Sequence, residues 1–157
     1  MIQRIQSIYL LLAAVSLILT AFFGFSSYQV GSEEEVLFNL FGISGSIEKI
    51  SVWFPYKIVV PLIAALCIYS IVKFKNRKLQ LFIGKVLYLL ILLLIVFIFI
   101  DVLSLASKIN KVSETETVKT TYGLGLYLSV ISLPFVFLAN RSIKRDEKLV
   151  RDVDRLR

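Results

Sequence analysis

Histidine is absent from the chain, and cysteine occurs once, as Cys67. The first absence removes the commonest general base and the commonest transition-metal ligand. The second excludes an intramolecular disulfide and any CxxC redox or metal pair. Cys67, set in an apolar run, then reads as a small core residue. None of HExxH, GxSxG or GxxxxGK[ST] occurs, and no apolar stretch holds a pair of carboxylates. Base, nucleophile and metal ligands are missing together, so neither catalysis, a metal nor a cofactor is expected.

Long polar stretches are few. The 157 residues are 57% hydrophobic with a mean hydropathy of +0.82, where soluble domains hold about 45–50% apolar residues even with glycine counted. Residues 79–100 read LQLFIGKVLYLLILLLIVFIFI, with Lys85 the one charge. As a helix this stretch would be roughly 33 Å long, enough for a hydrocarbon core of roughly 30 Å. Its apolar residues run all the way round, so its surroundings must be lipid or protein interior. The chain length allows one domain, 1–157.

Three further apolar runs accompany it. Residues 8–25 exceed the roughly 7–15 residues of a signal-peptide core and no A-x-A site follows, so a retained span is expected. Ser16, Thr20 and Gly24 recur there every four residues and form a face suited to close helix packing. Trp53-Phe54-Pro55-Tyr56 opens the next run, with aromatic rings for the headgroup layer and a proline suited to a first helical turn. The last run, 122–139, contains Pro134, which is expected to kink the helix or free a carbonyl. Such a kink is either an ordinary feature of membrane helices or the wall of a pocket. The expected spans are 5–25, 56–72, 79–101 and 121–139.

Outer loops are expected at 26–55 and 102–120, with a cytoplasmic loop at 73–78 and a cytoplasmic tail at 140–157. Glu33, Glu34 and Glu35 read as a solvated acidic turn, without the ligand spacing of a calcium loop. Residues 36–41 and 47–53, separated by a glycine-rich turn, read as a small β-hairpin resting on helix ends or on the membrane surface. Asp101 ends the longest apolar run. It is either an intramembrane carboxylate with a proton or ion role, or a charge at the outer headgroups. Lys85 can snorkel back to the basic loop. The tail reads as a charge-laced amphipathic helix from about Ser142. Glu147 and Arg151 pair at i,i+4, and Leu149, Val153 and Leu156 share a face. Its mixed charges favour a docked or partner-binding helix over a lipid-surface one.

Segments 1–7, 73–85 and 141–157 carry thirteen of the eighteen basic residues. The opposite segments, 26–57 and 101–121, carry five, together with seven of the eleven acidic ones. By the positive-inside rule both termini are expected in the cytoplasm. The same asymmetry accounts for the net charge of +7 without nucleic acid as a partner. The expected fold is an all-α membrane protein: a four-transmembrane-helix bundle with a small extracytoplasmic β-hairpin and a cytoplasmic C-terminal amphipathic helix.

The start MIQRIQSIYLLLA, the link KNRKLQ and the tail LANRSIKRDEKLVRDVDRLR are similar to a family of small four-span inner-membrane proteins of Bacteroidetes-type bacteria. That family is known as domain of unknown function 4293. The resemblance covers the whole chain, most specifically its two ends. It implies a bacterial inner membrane and a cytoplasmic tail. It implies no activity, so no residue role follows from it.

The function expected is that of a non-catalytic membrane component: a scaffold, assembly factor or accessory subunit. Its contact surfaces would be the outer hairpin and the tail residues Glu147, Leu149, Arg151, Val153 and Leu156. The alternative is a small oligomeric transporter or ion- or proton-conducting protein, in which Asp101, Lys85 and the Pro134 kink would serve. Expected partners are the lipid bilayer and either a membrane protein or a second copy of the chain, not nucleic acid.

Overall fold

The N-terminal apolar run does not continue as one helix. In the computed structural model, which describes residues 3–30, 34–45, 52–74, 76–112 and 118–155, helix α1 (Gln3–Leu19) gives way to turns. The N–H groups of Ala21 and Phe22 reach back to the carbonyls of Ile18 and Leu19, both at 3.0 Å. Phe25 then donates to the Phe38 carbonyl at 2.7 Å, and the chain enters strand β1 (Ser26–Val30). Strands β2 (Glu34–Asn39) and β3 (Gly42–Ser44) follow, and then helix α2 (Tyr56–Val72). Asn76 caps helix α3 (Arg77–Val112), its side-chain oxygen accepting from the Leu79 N–H at 3.2 Å. Strand β4 (Val118–Tyr122) and helix α4 (Leu124–Arg155) complete the order.

The expected all-α bundle of four membrane spans is not what forms. Two helical segments, Arg77–Lys111 and Leu124–Leu149, are long and apolar enough to cross a membrane. Helices α1 and α2 have 17 residues each. They rise roughly 26 Å, short of a hydrocarbon core of roughly 30 Å. The expected hairpin is instead part of a four-stranded antiparallel sheet of order β3-β2-β1-β4. Its fourth strand comes from the stretch expected to be a polar outer loop. Glu34 and Glu35, expected in a turn, lie in β2, while most of the expected second hairpin strand falls outside the described residues. The tail is no separate helix either. It continues α4 without a break, and Pro134 lies inside that helix.

Helix α1 packs against α4 and α2, and α3 packs against the same two. On α3 the buried residues Leu87, Ile91, Leu94, Ile98, Val102, Leu105 and Ile109 fall at steps of three and four, one face of a helix. Leu89, Leu92, Leu93, Val96, Phe99 and Ile100 on the other face are equally apolar and exposed. A continuous exposed apolar face of this kind is costly in water and favourable in hydrocarbon.

Gly24 joins α1 to α4. Gly123 donates to the Phe25 carbonyl at 2.9 Å and Gly125 to the Gly24 carbonyl at 3.0 Å. A Cβ on Gly125 would stand 2.5 Å from the Phe23 carbonyl oxygen, so only glycine permits the approach. Ser16 and Thr20, expected on a packing face with Gly24, are buried with their hydroxyls bonded to the Leu12 and Leu17 carbonyls. Because α1 exits where α4 begins, α1 begins and α4 ends at the opposite end of the molecule from the sheet.

Candidate functional site

Buried polar side chains collect at the two ends of the helices. At the sheet end, the alternation of β1 turns Ser26 and Tyr28 inward. The Ser26 hydroxyl donates to Tyr28 Oη at 2.9 Å, and Tyr28 donates to the Val102 carbonyl of α3 at 2.8 Å. Burial pushes the Tyr28 hydroxyl up to about 12, against the opposing effect of the Ser26 hydrogen bond. Tyr56, the first residue of α2, donates to Asp101 Oδ2 at 2.5 Å. Burial and then that bond hold its proton on well above the ordinary tyrosine range. Rings of Phe25, Phe38 and Tyr56 pack at 5.3–5.7 Å around this point, and Phe54 stacks on Phe97 at 4.6 Å. A shallow crevice of about 350 Å³ opens beside them, between the β2–β3 turn and residues 52–57. Around this end Trp53, Phe22 and Phe41 are 87%, 78% and 72% exposed.

At the far end the polar groups are amides, a hydroxyl and a carboxylate. Gln80 donates to the Ser70 carbonyl at 3.1 Å, tying α3 to α2. Asn140 donates to the Gly84 carbonyl at 2.8 Å, tying α4 to α3. Arg77 Nη1 donates to the Asp146 carbonyl at 3.3 Å. Five buried oxygens there have no hydrogen-bond partner among the described residues: Gln6 Oε1, Ser70 Oγ, Gln80 Oε1, Asn140 Oδ1 and Asp146 Oδ1.

Between the ends no amide or carboxylate is buried among the described residues. From Gly84 to Asp101 is roughly 25 Å along α3. The buried residues on that length are Leu87, Ile91, Leu94 and Ile98. Ser129 and Ser132 on α4 are buried at the same depth, and their hydroxyls bond to their own helix at 3.0 and 2.6 Å.

Asp101 and Lys85 are therefore not brought together. Asp101 is half-buried against Tyr56, and Lys85 is exposed roughly 24 Å away on the same helix. Of the tail residues singled out, Glu147 is half-buried and Leu149 exposed; Arg151 and Val153 lie on the α4 backbone, and Leu156 falls outside the described residues. Asp146, Gln80, Asn140 and Gln6 were missed by the sequence reading. Asp146 had a signal: Ser132, Val136, Ala139, Ile143 and Asp146 step by four and three and are all buried, so the core stripe of α4 runs through it. Among the described residues no group of three or more cysteine, aspartate or glutamate side chains is placed to hold a metal ion.

No curated protein and no solved structure matches the chain. A family profile described as a domain of unknown function, DUF4293, matches residues 2–156. With nearly its whole length covered by that match, the chain belongs to the DUF4293 family.

Proposed function

We propose that the protein is a non-catalytic membrane component, a scaffold or accessory subunit, held in the bilayer by α3 and α4. It carries the sheet on one side and the charged end of α4 on the other. The basic excess at the end opposite the sheet favours a cytoplasmic position for the start of α3 and the charged end of α4. Exposed Trp53, Phe22 and Phe41 suit the outer headgroup layer.

One observation carries the reading. The amides and carboxylates inside the helices stand at the two ends, roughly 25 Å apart, and the serines buried between them, Ser16, Ser129 and Ser132, are bonded to their own helices. An ion or proton path needs polar groups or water across that depth. A rigid body with two separate polar ends needs none. Purified protein in sealed liposomes is expected to pass protons and potassium no faster than empty vesicles. Photo-crosslinkers placed at Trp53 and Leu149 in native membranes are expected to give discrete, reproducible adducts. A proton flux that Asp101→Asn abolishes would replace this reading with the conducting one.

A further inference from the structure

Four cations on α4 form one stripe. Arg141, Lys144, Arg145 and Lys148 are all exposed, and with half-buried Glu147 they line a groove of about 450 Å³. Arg141 neighbours both Lys144 and Arg145 at i,i+3 and i,i+4, and Lys148 neighbours the same two. Like charges at those spacings repel and weaken a helix. The helix dipole gives no relief, because the stripe ends two turns before Arg155 and the dipole acts within the last turn. The acids of the same stretch do not cancel it. Asp146 is turned into the core at 7% exposure, which leaves Glu147 as the groove's one carboxylate. None of the four cations makes an ion pair among the described residues.

The groove also has a definite place. It lies in the last turns of the apolar segment Leu124–Leu149, where a spanning helix meets the headgroups. Arg77 bonds to the Asp146 carbonyl, which ties the basic start of α3 to this end of α4. Two guanidinium forks and two ammonium groups at headgroup depth are complementary in sign to an anionic phosphodiester and supply the donors that recognise its oxygens.

We propose that this groove holds the headgroup of an anionic phospholipid, an assignment that rests on the membrane reading above. The test is native mass spectrometry of the full chain in mild detergent, titrated with phosphatidylglycerol or phosphatidylcholine. Phosphatidylglycerol is expected to be retained on the wild type, and more weakly as salt rises. The double variant Lys144→Gln, Lys148→Gln should loosen it by about fivefold per charge removed. The pair Lys144→Arg, Lys148→Arg should keep it, as should Lys85→Gln, which lies outside the groove. Equal retention of the two lipids by the wild type overturns the proposal whether or not the variants fold. So does unchanged retention in a folded double glutamine variant, and so does equal retention of inorganic phosphate, since a free anion would then suffice. Failure of the chain to enter lipid nanodiscs of either composition would instead sink the membrane reading beneath it.

Discussion

Asn140 of α4 reaches across to the backbone carbonyl of Gly84 on α3, and the glycine's missing side chain is what admits it. A Cβ at position 84 would collide with the Asn140 amide. Between two apolar helices such a bond contributes roughly 0.6–2 kcal/mol, and close packing matters as much. Asn140→Ala should lower stability by that amount, and Gly84→Ala by about 1–3 kcal/mol through overpacking. The double variant should lose less than the sum, because the colliding group has gone. Thermal unfolding in detergent measures all three, and strict additivity would contradict the contact.

Tyr28 links the sheet to α3, so its hydroxyl reports on the docked state. Its ordinary value is 10.0 and the folded value is about 12. The neutral form is the one favoured in the fold, so an unfolded chain releases the proton first. The stabilisation is complete below pH about 10 and is lost as pH rises from about 10 towards 12. Tyr28→Phe should remove one late-titrating equivalent from the tyrosinate absorbance curve. At neutral pH it should cost about 1 kcal/mol for the lost bond to the Val102 carbonyl. A titration curve identical to wild type would show that Tyr28 is not so held.

Local sequence revealed some of this architecture and hid the rest for identifiable reasons. The apolar part of α3 was legible because no polar residue breaks residues 89–100, but the helix runs on to Val112 through residues expected as outer loop; α2 covers the stretch 56–72 expected as a span, as a helix too short to cross. The end of α1 was not, since Phe22, Phe23 and Phe25 are as apolar as a helix in lipid requires. What bends the chain is a bond from Phe25 to Phe38 and a pairing of Ser26 with Tyr122, partners that local composition does not register. Strand β4 reads VKTTY at a sheet edge and looks like a loop, because only its hydrogen bonds to β1 make it a strand. The far polar end was missed because Gln6, Gln80, Asn140 and Asp146 sit on three separate helices, in stretches read as ordinary helix termini or tail.

Tyr56 and Asp101 join the start of α2 to the outer part of α3. A hydrogen bond to a charged group contributes roughly 1.5–3 kcal/mol. Tyr56→Phe and Asp101→Ala should each cost about that much, and the double variant little more than either single one. Asp101→Asn keeps an acceptor oxygen and should cost less. Denaturation in detergent micelles supplies the cycle. Independent, additive losses would mean that Asp101 acts elsewhere, which would reopen an ion-handling role for it.

Sidedness can be read with a thiol, because the native Cys67 is buried in α2 and should not react. Lys78 lies exposed at the start of α3 and Lys108 exposed near its end, on opposite sides of the apolar stretch. If the basic end faces the cytoplasm, Lys108→Cys is labelled by a membrane-impermeant maleimide in intact spheroplasts of an expression host. Lys78→Cys should then react only once the inner membrane is permeabilised. Both substitutions are on exposed side chains, so losses of stability should stay within about 0.5 kcal/mol and not confuse the result. The opposite pattern would place the sheet inside and the groove of α4 outside. Labelling of both sites in intact spheroplasts would mean that α3 does not cross the bilayer between them.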